Sequence, residues 1–290
     1  MSKLHPLISI TGSSGAGTTT VKDTFSKIFV REQIKAAFIE GDAFHLYDKH
    51  EMRQKMAAAE KTNANFTHFG PDANDLNRLE QVFASYGATG TGQTRHYVHD
   101  EAEAKRYHTP IGSFTQWEDL PESDLLFYEG LHGCMVTDDL NLAQHCDLKI
   151  GVVPVINLEW IQKIHRDKDI RGYSTEAVTD TILRRMHDYV HYICPQFSKT
   201  DINFQRVPIV DTSNPFVARW IPTMAESVLV IRFANPRGID FPYLLSMIDH
   251  SFMSRANSIV VPGDKQDLAM QLIFTPLINK LFEQKKRLQN

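Results

Sequence analysis

The chain is poor in cysteine, with three in 290 residues. Cys134, Cys146 and Cys194 lie far apart, form no Cys-x-x-Cys pair and have no histidine at metal-ligand spacing. That argues against a disulfide framework and leaves inert thiols as the reading. An excess of positive charge is missing too. Lys and Arg number 31 against 35 Asp and Glu, a formal net charge of −4, so no broad basic field exists to collect a nucleic-acid backbone or an anionic membrane surface. Long apolar runs are absent as well. Ahead of Gly12 only the run Leu7 to Ile10 is apolar, too short for the core of a signal peptide, and no stretch approaches a membrane span. These absences predict a cytoplasmic protein with neither nucleic-acid nor membrane partner. The composition is otherwise that of a globular chain, 42% hydrophobic and 23% charged, long enough to bury a sizeable core. With no internal repeat, low-complexity tract or clear boundary, residues 1–290 read as one domain.

One further absence is local. The stretch from Leu7 runs from an apolar strand into the loop Gly12-Ser13-Ser14-Gly15-Ala16-Gly17, then the hydroxyl cluster Thr18-Thr19-Thr20 and the helical pattern Val21, Phe25, Ile28, Phe29. A strand, a glycine-rich loop and a helix N-terminus make an anion cradle out of backbone N–H groups and the helix dipole. The spacing matches the phosphate-loop pattern G-x-x-x-x-G-K-[ST] at Gly12, Gly17 and Thr19, but Thr18 occupies the lysine position. ATP is the predicted guest, with Mg²⁺ on the Thr19 hydroxyl. A loop without its lysine must recruit a cation from elsewhere in the chain.

Further along, Ala36 to Asp42 reads as a second strand that closes on an acid. Strand ends of this kind bind ligands in parallel α/β sheets, so Asp42 is a candidate functional residue as well as a candidate helix cap. His45, Lys49 and Arg53 follow at four-residue spacing, which on a helix puts all three on one face, able to hold a second anion. In the polar stretch from Glu60 to Asp124, Leu76, Leu79, Val82 and Phe83 form a helical core stripe. The alternating run Arg95 to His99 and the aromatic run Phe114 to Trp117 then predict a hairpin excursion that walls the acceptor pocket. On a strand His96 and His99 face opposite ways, which argues against a shared metal.

Leu125 to Gly130 is a buried-type strand ending in Glu129, the arrangement in which a carboxylate serves Mg²⁺. Leu148 to Val153 supplies another strand, and a helix is predicted from Asn157. That helical segment carries the chain's densest positive charge: Lys163, Arg166, Lys168, Arg171, Arg184 and Arg185. Lys163 to Arg171 predicts a lid that closes over a triphosphate and turns at Arg171-Gly172, a substitute for the missing lysine. The competing reading is a solvated charged helix. The last third reads as structural, with strands at Ser227 to Phe233 and Asn257 to Val261. A terminal helix there has the apolar face Ala269, Leu272, Ile273, Leu277, Leu281 and Phe282. The expected fold is an α/β, P-loop kinase-type domain: a mostly parallel central sheet flanked by helices, with a helical lid and a hairpin excursion.

Assembled, these pieces resemble the phosphoribulokinase family in its bacterial, octameric, NADH-regulated type, within the P-loop kinases that include uridine and pantothenate kinases. The likeness spans nearly the full length. It is carried by Gly12 to Thr20, Glu40-Gly41-Asp42-Ala43-Phe44-His45, Tyr97-Val98-His99-Asp100, Phe127 to Gly133, Val153 to Asp167 and Asn203 to Pro208. The resemblance implies phosphorylation of ribulose 5-phosphate at O1 by MgATP, giving ribulose 1,5-bisphosphate for carbon fixation. It implies Asp42 as general base, Glu129 serving the metal–nucleotide, Asp167 as a second catalytic acid, and Lys163 with Arg166 neutralising the transferring phosphoryl group. His45, Lys49, Arg53, Tyr97, His99 and Arg171 would hold the sugar phosphate. Lys49 and Arg53 stand exchanged relative to the family pattern, and Leu46 replaces a further Arg.

Arg31, Arg232 and Arg255 match arginines tied to NADH activation at a subunit interface, alongside a reading as ordinary ion pairs, and a homo-oligomer is implied. The chloroplast relatives' disulfide switch uses a phosphate-loop cysteine, and this chain has Ala16 and no cysteine before Cys134. Two alternatives stay open at the level of sequence: a paralogous kinase acting on a uridine- or pantothenate-like hydroxyl, and a non-catalytic nucleotide-sensing scaffold.

Overall fold

A computed structural model describes residues 4–13, 17–62, 64–169, 172 and 174–289. The chain opens with strand β1 (Leu7–Thr11) and, past the glycine loop, helix α1 (Thr18–Arg31), then β2 (Ala36–Glu40), α2 (Lys49–Lys61) and α3 (Leu76–Thr89). An excursion follows, made of β3 (Gln93–Thr94), α4 (Glu101–Tyr107) and β4 (Glu118–Asp119). The chain returns as β5 (Leu125–Gly130) and β6 (Leu148–Val153) and passes through the helix pair α5 (Ile156–Asp169) and α6 (Thr175–Asp188). It ends with β7 (Ile202–Pro208), β8 (Ser227–Phe233), α7 (Phe241–Met247), β9 (Phe252–Arg255), β10 (Ser258–Pro262) and α8 (Gln266–Gln289).

Eight strands form one sheet in the order β2-β5-β1-β6-β7-β8-β10-β9. The first five run parallel, and β8, β10 and β9 extend the sheet antiparallel. Alternation along the strands sets the two faces. Ile8 lies between Phe127 and Leu148 in register, and with Ile10 and Ile150 these residues pack beneath α1 and α8, where the Phe25 and Phe274 rings meet at 4.4 Å. Leu7, Ile39, Leu126 and Tyr128 face the other way, onto the Leu79, Val82 and Phe83 stripe of α3. Parallel strands share one direction, so β1, β2, β5 and β6 all release their loops at the same edge. Ligands bind in that crevice in open α/β sheets.

The terminal helix buries its expected face, with Ala269 and Ile273 in the core and Leu272, Leu277, Leu281 and Phe282 packed against it. Among the described residues, no helix is long and apolar enough to cross a membrane.

Two local expectations need correction. Arg95 to His99 does not continue a strand; β3 stops at Thr94, and a single bridge joins Tyr97 to Phe114. The cause is Arg95. Its guanidinium bonds the carbonyls of Ala43 and His45 and lies over the rings of Phe114 and Trp117, so the segment is drawn down onto the loop after β2. His45 is likewise not on the helix that carries Lys49 and Arg53. Asp48 caps that helix by accepting from His50 N and Glu51 N, while Glu51 reaches back to Asp48 N. This capping box starts α2 at Lys49 and leaves His45 in the turn that follows β2.

Candidate active site

The phosphate loop begins where β1 ends. Gly12 N donates to Gly130 O at 3.1 Å, which ties the loop to the end of β5. Gly17, with φ of 98°, turns the chain into α1. Only glycine takes that left-handed conformation without strain. Ser13 Oγ donates to Glu159 in the first turn of α5, so loop and lid helix are joined directly. Thr18, at the lysine position, is buried, and its hydroxyl works to hold the Glu129 carboxyl down. Ser14, Gly15, Ala16 and Arg171, and the side chain of Thr19, lie outside the described residues.

Glu129 and Glu40 are register partners at the ends of β5 and β2. Burial raises the Glu129 carboxyl above its ordinary value, and the charges of Glu40 and Asp42 push the same way against Thr18 and Lys22. Lys22, which the sequence did not single out, stands 2.5 Å from Glu40 on the first turns of α1. Among the described residues no three His, Cys, Asp or Glu side chains converge to hold a metal by themselves. A surplus of carboxylate charge beside a phosphate cradle suits a Mg²⁺ ion that draws most of its ligands from phosphates and water.

The cations sought for the loop sit on α5 and α6. Glu159, Lys163, Arg166 and Arg185 line one cavity between these helices. Asp167, buried, lies 2.5 Å from Lys163 Nζ and 3.3 Å from Arg166 Nε. Burial lowers the Lys163 ammonium, and Arg185 lowers it further, against Asp167. The two helices are joined through Gly172, with φ of 70°, and Ser174 caps α6.

Opposite the lid, Asp42 follows β2 with each carboxylate oxygen near a histidine. Oδ1 is 3.1 Å from His45 Nε2 and Oδ2 is 3.3 Å from His99 Nε2. Burial would raise the Asp42 carboxyl, but His45 outweighs it through charge and hydrogen bond, with His99 and His68 adding, and the group is held well below the ordinary carboxylate range. The side chain still keeps 40% of its surface open. Tyr97 packs against His99 at 4.9 Å and against Phe114 at 5.2 Å. The excursion therefore lies beside Asp42 through Tyr97 and His99. His96 points elsewhere, stacking on Tyr107 and pairing with Glu118. Lys49 and Arg53 are exposed at the start of α2, and Lys49 N donates to Gly112 O at 2.8 Å.

The comparisons with known proteins settle the lineage. The model of the phosphoribulokinase/uridine kinase family matches residues 7–213. The chain is 75% identical over 288 residues to the phosphoribulokinase of Sinorhizobium medicae (strain WSM419), covering 99% of this chain and 100% of that one. It is 71% identical over 289 residues to the phosphoribulokinase of Xanthobacter flavus, covering 99% of each. This chain belongs to the phosphoribulokinase/uridine kinase family. The solved phosphoribulokinase from Rhodobacter spheroides superposes with a TM-score of 0.91 at 62% identity, covering 98% of this chain and 100% of that one. Among phosphoribulokinases the likeness is thus end to end, and the chain is a P-loop kinase.

Within the family frame, the structure brings Asp42, His45, Tyr97 and His99 together on one side and Lys163, Arg166 and Asp167 on the other. It does not bring together Arg31, Arg232 and Arg255. Arg31 bonds Gln271 and Thr275 of α8, on the face shared by α1 and α8. Arg232 and Arg255 are both register partners of Ser258 and line an open cavity of about 520 Å³ with Asn203 and Gln205. Those side chains alternate with Phe204 and Ile231, which pack toward α8, so this cavity opens on the opposite face. Sequence reasoning also missed half-buried His68 and buried Asn74 and His132 around Asp42 and His45; an isolated His or Asn in a turn-rich stretch carries no period to flag it.

Proposed function

We infer that this chain transfers the terminal phosphoryl group of MgATP to O1 of ribulose 5-phosphate, forming ribulose 1,5-bisphosphate in the Calvin cycle. The observation that carries the reading is end-to-end identity of 70% or more with several phosphoribulokinases, in a chain whose crevice sets one open carboxylate, Asp42, across from a cationic lid.

In this reading the loop from Gly12 to Thr20 holds the phosphates. The base of ATP lies in the cavity lined by Pro154, Gln162, Arg206 and Met224 beside the start of α1. Glu129 and Thr19 would hold Mg²⁺, which would supply charge neutralisation at the phosphates. Asp42 accepts the proton of the acceptor hydroxyl. Lys163 and Arg166 move onto the transferring group as the lid closes, and Asp167 keeps both aimed. His45, His99, Tyr97, Lys49, Arg53 and Arg171 hold the sugar phosphate. Phosphoryl transfer needs little more than such positioning and charge neutralisation.

Three finer readings accompany this one. The chain works in the cytoplasm, and it works as a single domain over residues 1–290 because one sheet runs unbroken from β2 to β9. It assembles as a homo-oligomer, an octamer by its resemblance; exposed Ile209, Val217 and Trp220 supply apolar surface for contacts between copies. NADH activates it through Arg232 and Arg255, whose cavity offers two guanidinium groups to a dinucleotide phosphate, and Arg31 would join only from a neighbouring copy.

The test is ADP release from MgATP with ribulose 5-phosphate, uridine, pantothenate or no acceptor, each with and without NADH. Turnover is expected with ribulose 5-phosphate alone, and faster with NADH. Silence with ribulose 5-phosphate alongside intact ATP binding would sink the reading in favour of another acceptor or a nucleotide sensor.

A further inference from the structure

Asn74 lies buried at the end of the short turn Pro71–Ala73, one residue before the Asp75 cap of α3. Its Nδ2 donates to the carbonyls of His68, at 2.9 Å, and Gly70, at 2.7 Å. Both amide hydrogens are engaged, and a flipped amide would set its oxygen against two carbonyl oxygens. The orientation is therefore fixed. It leaves Oδ1 facing His45 Nδ1 at 2.7 Å, and an amide oxygen only accepts, so Nδ1 carries a proton. Across the ring, Nε2 stands 3.1 Å from Asp42 Oδ1. A neutral ring with its proton on Nδ1 would aim a lone pair at a carboxylate. A second proton must lie on that contact, and with His99 at the other Asp42 oxygen and the Asp42 carboxyl held well below the ordinary range it belongs to His45, an imidazolium against an ionised Asp42.

The groups around the ring are consistent with this state. Burial opposes a charge on His45, but Asp42 and the Asn74 bond outweigh it, with Arg185 of α6 opposing. His68 packs on the ring at 4.3 Å, tilted by 36°, and Tyr97 meets it edge-on at 6.2 Å. His68 is held neutral, down to about 3, by burial and then by the charges of His45 and Arg185. His132, which bonds the Phe69 carbonyl, is held down to about 4, mainly by burial. From the excursion, Arg95 donates to the His45 carbonyl at 2.7 Å, and His99 takes the other oxygen of Asp42.

We propose that Asn74 is a positioning residue for phosphoryl transfer. By accepting a hydrogen bond from Nδ1–H it keeps His45 doubly protonated, and His45 keeps Asp42 ionised and fixes how its carboxylate is turned toward the acceptor hydroxyl. The inference rests on Asp42 being the base.

Two substitutions isolate the contact. Asn74→Leu and Asn74→Asp both give up the bonds to the two carbonyls, but only Asp keeps an acceptor toward Nδ1. The measurement is kcat against pH with ribulose 5-phosphate at saturating MgATP, for each variant alone and in a His45→Gln background. Asn74→Leu is expected to lower kcat about tenfold with KM for MgATP unmoved. Its acid limb should move to higher pH, because a neutral His45 no longer holds the Asp42 carboxyl down. Asn74→Asp should keep the acid limb at or below its wild-type position. Without His45 the difference between the two variants should shrink to less than about twofold, since one contact carries it.

Identical profiles for the two variants, or an undiminished difference without His45, would overturn the proposal. Should Asn74→Leu fail to fold, the Asn74→Asp profile decides alone: a shift from wild type that survives His45→Gln overturns it. Asp42→Asn with near-normal turnover would remove Asp42 as base while leaving any His45-dependent difference intact, so the two failures are distinguishable.

Discussion

Lys163 and Asp167, one turn apart on α5, meet at 2.5 Å in a part of the lid where both side chains are largely shielded. The lysine's counter-charge comes from its own helix, and Arg166 shares the same carboxylate. In the proposed function the cation meant for ATP is stored against an internal counter-ion, which holds the ammonium charged in a place where burial and Arg185 would discharge it.

Asp167→Asn removes that support. Lys163 neutralises a phosphoryl group only while protonated, and its charge is lost as pH rises through an already lowered value. The alkaline limb of kcat should move to lower pH, with kcat reduced by roughly ten- to a hundredfold at pH 8. A pH–rate profile checks this; an alkaline limb that stays in place would exclude the stored-cation role.

Asp42→Asn should retain ATP binding and lose roughly two to four orders of magnitude in turnover, the usual reach of a positioned base. Equilibrium dialysis with ATP and steady-state rates with ribulose 5-phosphate read the two separately.

Burial and neighbouring carboxylates raise Glu129. It therefore takes up a proton earlier than an ordinary carboxylate as pH falls, and a protonated carboxyl does not hold Mg²⁺. KM for MgATP should climb on acidification from pH 7 toward 5 in the wild type and be high and nearly pH-independent in Glu129→Gln. An equal slope in both would assign the effect elsewhere.

Gly112 has φ of 83°, and a Cβ there would meet Lys49 Cβ at 2.6 Å. Gly112→Ala is thus strained by about 1–2 kcal/mol and displaces Lys49. The expectation is KM for ribulose 5-phosphate raised several-fold with KM for ATP unchanged, measured by varying each substrate in turn. Unchanged acceptor KM would detach Lys49 from the sugar phosphate.

Folding stability should fall in acid. His68 is held down to about 3 and His132 to about 4, against about 6.5 in the unfolded chain. Below 6.5 the unfolded state binds protons that the folded state refuses, so stability drops as pH falls, by roughly 2 kcal/mol per histidine at pH 5. His45, raised in the fold, favours folding at acid pH and works the other way. Urea melts at pH 7 and pH 5 should show His68→Phe losing about 2 kcal/mol less than wild type between them. Parallel losses would mean His68 is not buried neutral.

The sequence alone determined the frame. Leu7 to Phe29 reads as strand, phosphate loop and helix, because apolar run, glycine spacing and helical period follow one another in succession. The same local logic placed Glu129 at a strand end and the cations of Lys163 to Arg185 on two helices. It also exposed the missing lysine at Thr18, and with it the need for a lid.

Tertiary structure decided what stands beside what. Four-residue spacing put His45 on a helix with Lys49, but the Asp48 capping box starts that helix only at Lys49 and leaves His45 to turn back on Asp42. Alternation made Arg95 to His99 a strand, but Arg95 found carbonyl partners some fifty residues away and pulled the run out of any ladder. Arg31, Arg232 and Arg255 look alike as letters, yet a sheet separates the first from the other two. Asn74 has no period, no motif and no charge, and its importance comes from three contacts to residues that only the folded chain brings within reach. Local periodicity records which face of an element is buried; partners across turns and sheets are chosen by the whole packing, which no short window of sequence contains.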